Sequence, residues 1–348
     1  MPTRPVPLVI GHRGASGYRP EHTRSAYELA IALGADAVEP DLVASRDGVL
    51  VLRHENEISG TTDVERRPEF AQRRTTKRVD GKEITGWFTE DFTWAELSTL
   101  RARERLPAVR ASSATFDGQF PILRFSDLLA LLDRAGEESP PSPPGLVAEI
   151  KHATYFDALG LPLDVLLEQE LAAAGWARTD PRLTIESFEK TVLERLAVRG
   201  VGTRRVYLIE SRGTPPDLVA AHGSRATPYA DFVTPAGLRG LAGTVDGVSV
   251  DKSMLFGRDG AGRAVGTNSL VADAHAVGLQ VYTWTLRAEN RFLEKVHRVG
   301  REPEAYGAWQ DEFRAILRTG IDGVFADQPD LAIEARAAED DAWAGSAG

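Results

Sequence analysis

The sequence predicts an α/β fold, a (β/α)8 TIM barrel with a small insertion after the second strand and its hairpin. Three observations support this prediction. Strand-like and helix-like segments alternate about eight times, which is typical of parallel strands closed into a barrel. The polar residues that suggest chemistry stand at the carboxyl ends of the predicted strands, where barrel enzymes carry their active sites. The length of 348 residues also suits one barrel with insertions.

The individual elements follow from their hydrophobic period. Residues 6–10 form a β-branched run that predicts the first strand, and residues 21–34 carry apolar side chains at helical spacing up to Gly34. Residues 37–44 predict the second strand. The remaining predicted strands are 146–150, 183–185, 205–209, 245–250, 280–286 and 323–325. The predicted helices between them are 125–135, 163–174, 190–198, 269–277 and 309–319.

These elements predict a single domain over residues 1–338. In residues 55–117 the alternation fails and polar, basic and aromatic residues mix, so we interpret this segment as an insertion. Two interpretations of its charged residues are open: a solvated face, or a lid over the barrel mouth. One helix is expected over 91–100, with Thr93 as its cap. Residues 339–348 are predicted to be a disordered tail.

The composition excludes several classes of protein and site. It is 42% hydrophobic and 26% charged, as in ordinary soluble globular domains. The formal net charge of −10 argues against a general nucleic-acid binder, which needs a basic surface. The chain has no cysteine, so disulfides, thiolate catalysis and cysteine-based zinc sites are excluded. Because the net charge is negative, an anionic substrate must be held by local positive charge.

The hydropathy of the chain gives an expectation about its location. Residues 1–5 lead into the first strand without an apolar signal segment, and no stretch has the length of a membrane span. We therefore expect a cytoplasmic protein without stable membrane insertion. A secreted or periplasmic location is the alternative if the sequence is a trimmed form of a longer one.

A histidine and an arginine stand where the first predicted strand ends. His12 and Arg13 follow the strand at Gly11, and polar heads at such a position project beyond the core. In the second strand Glu39 and Asp41 are two residues apart, so they point to the same side of the sheet. Two carboxylates on one face repel each other unless a cation lies between them. The arrangement is typical of a functional site.

An Asp-Gly dipeptide at 47–48 predicts that the chain folds back after the second strand. If these two residues form the loop, Arg46 pairs with Val49, and the same register places His54 opposite Asp41. Taken alone, a histidine is more often structural than catalytic. Two histidines, an arginine and two carboxylates brought together by one strand end and one hairpin indicate an active site instead.

Several motifs occur in the order typical of one enzyme family. They are His12-Arg13-Gly14-Ala15, Pro20-Glu21-His22-Thr23, Glu39-Pro40-Asp41, His54, Ala148-Glu149-Ile150-Lys151, Glu186-Ser187-Phe188, Tyr282-Thr283-Trp284-Thr285 and residues 322–330. On these residues the chain resembles the glycerophosphodiester phosphodiesterase family, closely its periplasmic branch, over residues 6–335. It departs from the family at Glu55, Gly60 and Glu186, where the family usually has aspartate, arginine and glutamine. These departures concern contacts behind the site and the range of substrates more than the class of reaction.

The resemblance implies a third metal-binding carboxylate, Glu149, beside Glu39 and Asp41. The three residues supply hard oxygen ligands and no thiolate, which suits Ca²⁺ or Mg²⁺. We therefore expect a divalent cation at Glu39, Asp41 and Glu149. Such an ion would cancel the repulsion among the carboxylates and polarise a phosphoryl oxygen.

His12 and His54 are the predicted catalytic pair. A histidine has an ordinary pKa of about 6.5, so two of them beside a phosphate can hold one proton between them and act as base and acid. The resemblance implies that the base activates the glycerol 2-hydroxyl or a water, while the acid protonates the leaving alcohol. Which histidine takes which role is open. Asp327 is expected either to line the barrel mouth or to cap the next helix.

Arg13 and Lys151 are the predicted phosphate ligands. Arg13 offers a bidentate fork, and Lys151 adds a point charge on the face of Glu149. The alternative for both is ion pairing with the carboxylates. Trp284 and Phe188 are predicted to form an apolar wall for the substrate, and the alternative for them is plain core packing.

Together with these features, the resemblance implies metal-dependent hydrolysis of glycerophosphodiesters to sn-glycerol 3-phosphate and an alcohol. The expected partner is this small-molecule substrate, with no nucleic acid. Two alternatives are open. One is a phospholipase D-like enzyme of the same superfamily, which acts on lysophospholipids and needs an apolar channel beside the site. The other is a barrel that binds phosphodiesters without hydrolysing them, which the departures at Glu55 and Gly60 suggest.

Overall fold

The protein is a closed barrel of eight parallel strands surrounded by helices, and this confirms the predicted (β/α)8 fold. The computed structural model describes residues 6–139, 142–260 and 264–346. The strands are β1 Leu8–His12, β2 Ala37–Glu39, β3 Asp41–Ala44, β4 Leu50–Leu52, β5 Thr75–Val79, β6 Lys82–Gly86, β7 Gly145–Ile150, β8 Leu183–Ser187, β9 Arg204–Ile209, β10 Gly247–Asp251, β11 Phe256–Arg258, β12 Ala264–Thr267, β13 Gln280–Leu286 and β14 Gly323–Ala326. The α-helices are α1 Arg24–Ala32, α2 Trp94–Leu97, α3 Ala111–Ala114, α4 Phe125–Glu138, α5 Ala153–Ala158, α6 Leu163–Ala173, α7 Lys190–Val198, α8 Pro216–His222, α9 Tyr229–Phe232, α10 Pro235–Leu241, α11 Leu270–Ala276, α12 Trp309–Leu317 and α13 Pro329–Ser346.

The barrel closes because β1 pairs in parallel with both β2 and β14. Between them the order around the barrel is β13, β10, β9, β8 and β7. The second barrel strand is divided into β2 and β3 at Pro40, since proline has no amide hydrogen for the sheet ladder. β7 pairs with both parts, so the division leaves the barrel closed.

Buried apolar side chains form two clusters, one inside the barrel and one around it. One cluster comes from the barrel strands alone and forms the interior; its buried members are Ile10, Ala37, Val147, Val206, Tyr282 and Phe325. A larger cluster packs the outer faces of the strands against the helices. No helix among the described residues combines the length and the apolar character that crossing a membrane requires.

The predicted hairpin forms between β3 and β4, but its predicted register is wrong by one residue. Leu42 pairs with Leu52, and the amide of Arg53 donates to the carbonyl oxygen of Asp41 at 3.0 Å. The position opposite Asp41 is therefore occupied by Arg53 and not by His54.

The physical reason for the shift is a loop of three residues, Arg46, Asp47 and Gly48. The Ser45 hydroxyl donates to Asp47 Oδ1 at 2.7 Å and accepts from the Val49 amide at 3.0 Å, while Gly48 has a φ of +78°. These contacts favour the three-residue loop, in which the last residue takes the left-handed conformation. Arg46 consequently lies in the loop and does not pair with Val49.

The insertion contains short elements and one hairpin, β5–β6. Its predicted helix over 91–100 is only the single turn α2, although Thr93 does cap it in a capping box with Glu96. At the other end of the chain, α13 continues to Ser346, so residues 339–346 are helical where a disordered tail was predicted. The last two residues of the predicted tail, 347–348, lie outside the described residues. Glu339 is held there by Arg318, whose Nε donates to Glu339 Oε2 at 2.7 Å.

Candidate active site

Several polar and aromatic residues at the barrel mouth lie two positions beyond the apolar residues of the barrel interior. Alternate side chains of a strand point to the same face, so a residue two places after an interior side chain points to the barrel mouth. Ile10 is followed by His12 in this way, and Val147 by Glu149. The same offset relates Ala37 to Glu39, Tyr282 to Trp284 and Phe325 to Asp327.

The barrel mouth contains a cavity of about 640 Å³. It is lined by all the predicted site residues except Asp41, namely His12, Arg13, Glu39, His54, Glu149, Lys151, Phe188 and Trp284. The β5–β6 hairpin of the insertion also lines it, through Asp80 and Lys82 among others. Asp80 Oδ2 lies 2.5 Å from His152 Nδ1, which ties the hairpin tip to the loop after β7. One part of the insertion therefore reaches the barrel mouth.

Three buried carboxylates of the cavity lie close together. Glu39, Glu149 and Glu186 each offer an oxygen atom within 4.8 Å of those of the other two. Glu149 and Glu186 are paired neighbours on β7 and β8. Burial raises the pKa of Glu149 to about 8, and it raises the pKa values of Glu39 and Glu186 well above their usual range. Glu186 was not among the predicted ligands.

Asp41, by contrast, is surrounded by cationic and histidine side chains. Its Oδ2 lies 3.1 Å from Arg13 Nε and 2.9 Å from His22 Nε2, and Lys151 Nζ is 3.6 Å from its Oδ1. Although burial raises it, the pKa of Asp41 is held well below its usual range by Lys151, His54 and Arg13. Asp41 is nevertheless the register partner of Glu149, so it borders the carboxylate cluster.

The acidic cluster fits a divalent cation. Asp41 Oδ1 and Glu186 Oε2 are buried and form no hydrogen bond, which is costly for a carboxylate oxygen unless another group binds it. The available donors are hard oxygen atoms, as Ca²⁺ and Mg²⁺ prefer. Glu39 and Glu149 stay predicted ligands, as does Asp41, and Glu186 becomes a fourth candidate.

His12 is held by a buried aspartate. Its Nδ1 lies 2.6 Å from Asp327 Oδ1, and Asp327 Oδ2 accepts from Arg110 Nη2 at 2.6 Å and from Arg287 Nε at 2.7 Å. Burial, followed by the charge of Arg13, lowers the pKa of His12 to about 4. A protonated Nδ1 that donates to Asp327 leaves Nε2 for the substrate. Asp327 thus orients a catalytic candidate, which neither interpretation of its sequence position included.

His54 has an equivalent partner in the next residue. Its Nδ1 lies 2.5 Å from Glu55 Oε1, and Glu55 accepts from Arg105 at 3.0 and 2.7 Å. Burial, followed by the charges of Arg13 and Lys151, lowers the pKa of His54 to about 3. Glu55, a departure from the family pattern, therefore keeps a carboxylate at this position.

Arg13 and Lys151 are ion-paired and also line the cavity. Arg13 has a φ of +58°, a conformation uncommon for residues other than glycine. Its amide donates to Glu39 Oε2 at 2.8 Å, and its Nη1 donates to Glu21 Oε2 at 3.1 Å. Lys151 Nζ lies 2.8 Å from Glu149 Oε1. The ion-pairing interpretation is correct for both, and their place in the cavity wall leaves phosphate binding as a prediction.

Phe188 and Trp284 form an edge-to-face pair with ring centroids 5.7 Å apart. Tyr229 extends the group, 6.3 Å from Phe188. Both predicted residues are half-buried and line the cavity while packing against the core. They thus form an aromatic wall of the cavity.

Sequence reasoning missed the residues that hold the two histidines. Arg105 contacts Glu21 from 84 positions away, and Arg110 contacts Asp327 from 217 positions away. Local periodicity contains no information about such pairs. Glu21 and His22 stand in a motif that resembles the family's, and that motif was the one available signal for them.

The chain is similar to known proteins over most of its length. A model of the glycerophosphoryl diester phosphodiesterase family matches residues 12–331. A glycerophosphodiester phosphodiesterase of Arabidopsis thaliana is 30% identical over 334 residues, which cover 92% of this chain and 83% of that protein. One of Haemophilus influenzae is 24% identical, with 94% of this chain and 89% of that protein covered. Among solved structures, the chain is similar to that of an Oleispira antarctica phosphodiesterase in complex with the product sn-glycerol-3-phosphate. The TM-score is 0.61 and the identity is 20%, with 95% of this chain and 96% of that chain covered, so this similarity shows the fold alone.

Proposed function

Because the chain belongs to the glycerophosphoryl diester phosphodiesterase family and is an enzyme of that class, we propose that it hydrolyses glycerophosphodiesters to sn-glycerol 3-phosphate and an alcohol. The observation that carries the proposal is the pair of histidines in one cavity. Each has its Nδ1 against a carboxylate, and the acidic cluster lies beside them. This is the equipment that proton transfer to and from a phosphodiester needs.

The residues of the cavity divide the work of the proposed reaction. Arg13 and Lys151 bind the phosphate oxygens and offset the charge of the diester. Glu39, Glu149, Asp41 and Glu186 are the residues that would hold a divalent cation, which when bound would polarise a phosphoryl oxygen as a Lewis acid. Phe188 and Trp284 hold the apolar side of the substrate against the barrel mouth and exclude water there.

The two histidines carry the protons. One takes a proton from the attacking hydroxyl, and the other gives a proton to the oxygen of the leaving alcohol as the bond from phosphorus to that oxygen breaks. An attacking water gives sn-glycerol 3-phosphate directly, whereas the glycerol 2-hydroxyl gives a cyclic phosphate that a water then opens. His12 stands at the end of β1 and His54 follows β4, so the two groups enter the cavity from different elements. The Nδ1 contacts to Asp327 and Glu55 fix which ring nitrogen faces the substrate.

Charged side chains in the outer part of the cavity favour a polar head group over an acyl chain. Asp80, Lys82, Glu210 and Arg212 all line it. An acyl chain of a lysophospholipid would have to desolvate these groups, which is unfavourable without compensating partners. The same wall suits the small alcohols of glycerophosphodiesters. The non-catalytic alternative loses the part of its basis that rests on Glu55, because Glu55 supplies the carboxylate beside His54.

A substrate and metal panel tests the proposal. The protein is stripped with a chelator and assayed on several glycerophosphodiesters, with Ca²⁺, Mg²⁺ or Zn²⁺ added back, and the phosphorylated product is identified. We expect activity to disappear on chelation, to return with Ca²⁺ or Mg²⁺, and to yield sn-glycerol 3-phosphate. His12→Ala serves as the inactive control. The proposal would be contradicted if the products were free glycerol and a phosphorylated alcohol. It would also be contradicted if the activity were unchanged after treatment with the chelator.

A further inference from the structure

Both candidate catalytic histidines are secured by arginines from one short stretch of the insertion. We propose that Arg105 and Arg110 are positioning residues, which hold His54 through Glu55 and His12 through Asp327. Residues 105–110 are called the arginine turn below. The role in catalysis rests on the proposed function, whereas the positioning of the two rings does not.

The first arm of the arginine turn reaches His54. Arg105 donates from Nη1 to Glu55 Oε1 at 3.0 Å and from Nη2 to Glu55 Oε2 at 2.7 Å, a bidentate pair. The other edge of the Arg105 guanidinium binds Glu21, because Nε donates to Glu21 Oε2 at 2.8 Å and Nη2 donates to Glu21 Oε1 at 2.7 Å. Glu21 in turn accepts from Arg13 at 3.1 Å. Arg105 therefore fixes the carboxylate that holds His54 and joins it to the predicted phosphate ligand Arg13.

The second arm reaches His12. Arg110 donates from Nη2 to Asp327 Oδ2 at 2.6 Å and from Nε to Glu289 Oε1 at 2.7 Å. Its side chain is only 5% exposed, so these charge-assisted bonds form away from solvent, where they are strong. Asp327 cannot rotate away from His12 while Arg110 and Arg287 occupy its second oxygen.

The arginine turn is itself rigidly held. The amides of Val109 and Arg110 both donate to the carbonyl oxygen of Leu106 at 2.8 Å. The buried Glu104 accepts from the Leu106 amide at 2.8 Å and from the Ser113 hydroxyl at 2.6 Å. A single folded turn thus sets the spacing between the two guanidinium groups, and through them the two histidines. Because Glu55 and Asp327 can orient the histidines only while their own positions are fixed, the arginines that bind them also contribute to the orientation of the rings.

The first test is the state of the two rings. The protein is labelled with [¹⁵N]histidine, and nuclear magnetic resonance spectra record the ring nitrogens. The signals of His12 and His54 are assigned by their loss in the two alanine variants. We expect Arg105→Gln to shift the ring nitrogens of His54 while those of His12 stay in place, and Arg110→Gln to do the reverse. Arg103→Gln is the matched control, because Arg103 lies two residues before Arg105 in the insertion but pairs with Asp117 at 3.5 Å.

The second test is kinetic and uses a double variant. Loss of an orienting partner lowers activity about 10- to 100-fold, so Arg105→Gln should lower kcat by this amount. The same change added to Glu55→Gln should cost little more, because both act through one hydrogen-bonded unit. Arg105→Lys, which keeps the charge but not the bidentate fork, should recover part of kcat.

The outcomes separate the two claims. Ring signals that stay unchanged in both arginine variants, or that all shift together with a loss of folded protein, would overturn the proposal. Full additivity of Arg105→Gln and Glu55→Gln would overturn the His54 arm. Selective shifts in a protein that cleaves no glycerophosphodiester would support the positioning and refute the proposed function, because the nuclear magnetic resonance readout needs no turnover.

Discussion

Replacing Asp327 by asparagine removes one negative charge and keeps the size of the side chain. Asp327 is 1% exposed and receives three charge-assisted contacts within 2.7 Å, from His12, Arg110 and Arg287. An amide can still accept from the arginines with its oxygen, but this turns its NH₂ group toward His12 Nδ1. The imidazole then favours the tautomer whose proton is on Nε2, the nitrogen that faces the cavity.

The expected effect on turnover follows from that tautomer. An asparagine behind a catalytic histidine lowers kcat by about 10⁴-fold in hydrolases of the serine-protease type, and each factor of ten corresponds to about 1.4 kcal/mol of activation free energy. We therefore expect Asp327→Asn to lower kcat by about 10² to 10⁴, or about 3 to 5 kcal/mol. Loss of the buried charge should also reduce the free energy of unfolding by about 3 kcal/mol.

The assay compares kcat and urea denaturation for Asp327→Asn and for Asp330→Asn, both with the metal added back. Asp330 receives the Tyr18 hydroxyl at 2.9 Å and has no contact with His12, so its variant controls for an asparagine in the same segment. A kcat of Asp327→Asn within about threefold of the Asp330 control would refute the reasoning, because His12 would then not depend on its carboxylate.

Four further predictions concern the metal, the pH, the histidines and the hairpin. Glu149→Gln should weaken Ca²⁺ or Mg²⁺ binding and activity together, measured by calorimetry; an unchanged affinity would remove Glu149 from the ligands. The pKa of His12 is about 4 in the folded protein and about 6.5 in the unfolded chain, so the unfolded state binds more protons between these pH values and the free energy of unfolding decreases as the pH falls through them. At pH 5 this decrease is about 2 kcal/mol. Urea denaturation should therefore show a smaller decrease in the free energy of unfolding from pH 7 to pH 5 for His12→Asn than for the unchanged protein. His12→Ala and His54→Ala should each lose about 10² to 10⁴ in kcat, and with a p-nitrophenol leaving group only the variant that lacks the acid should recover; equal recovery of both would exclude separate roles. Replacing residues 79–82 by a glycine turn should change the relative kcat/KM values among head groups more than it changes the melting temperature, and constant ratios would refute the role of the hairpin in selectivity.

The fold was predictable because the barrel repeats one pattern. Apolar runs of strand length alternate with segments of helical period, and this signal survives errors at individual boundaries. The hairpin register was not predictable in the same way, because two loop lengths fit the Asp-Gly dipeptide. The choice between them depends on the Ser45 hydroxyl, which binds both Asp47 and the Val49 amide. A side-chain contact of this kind has no periodic signal.

The candidate site was predictable to the extent that its residues stand at strand ends. His12, Glu39 and Glu149 follow interior side chains by two positions, so the period of a strand directs them to the mouth. The inclusion of Glu186 depends on the register between β7 and β8, which pairs it with Glu149. The position of Asp41 depends on three cationic or histidine side chains from other parts of the chain. Neither fact is encoded in a local pattern.

The insertion contains two parts whose removal should have opposite consequences. The β5–β6 hairpin contacts the barrel mouth at its tip, and much of its surface is exposed, so changes there alter what the cavity accepts. The arginine turn contacts Glu21, Glu55, Asp327 and Glu289, all carboxylates behind the site. Deleting it would remove the arginine partners of Glu55 and Glu289 and one of the two arginine partners of Glu21 and Asp327, which keep Arg13 and Arg287. A buried carboxylate that loses its cation costs more than a pair that never formed. An insertion that only covered a finished barrel would be dispensable for turnover. Here the barrel supplies the histidines, and the insertion supplies an arginine to each of their carboxylates, so we expect full activity only when both have folded together.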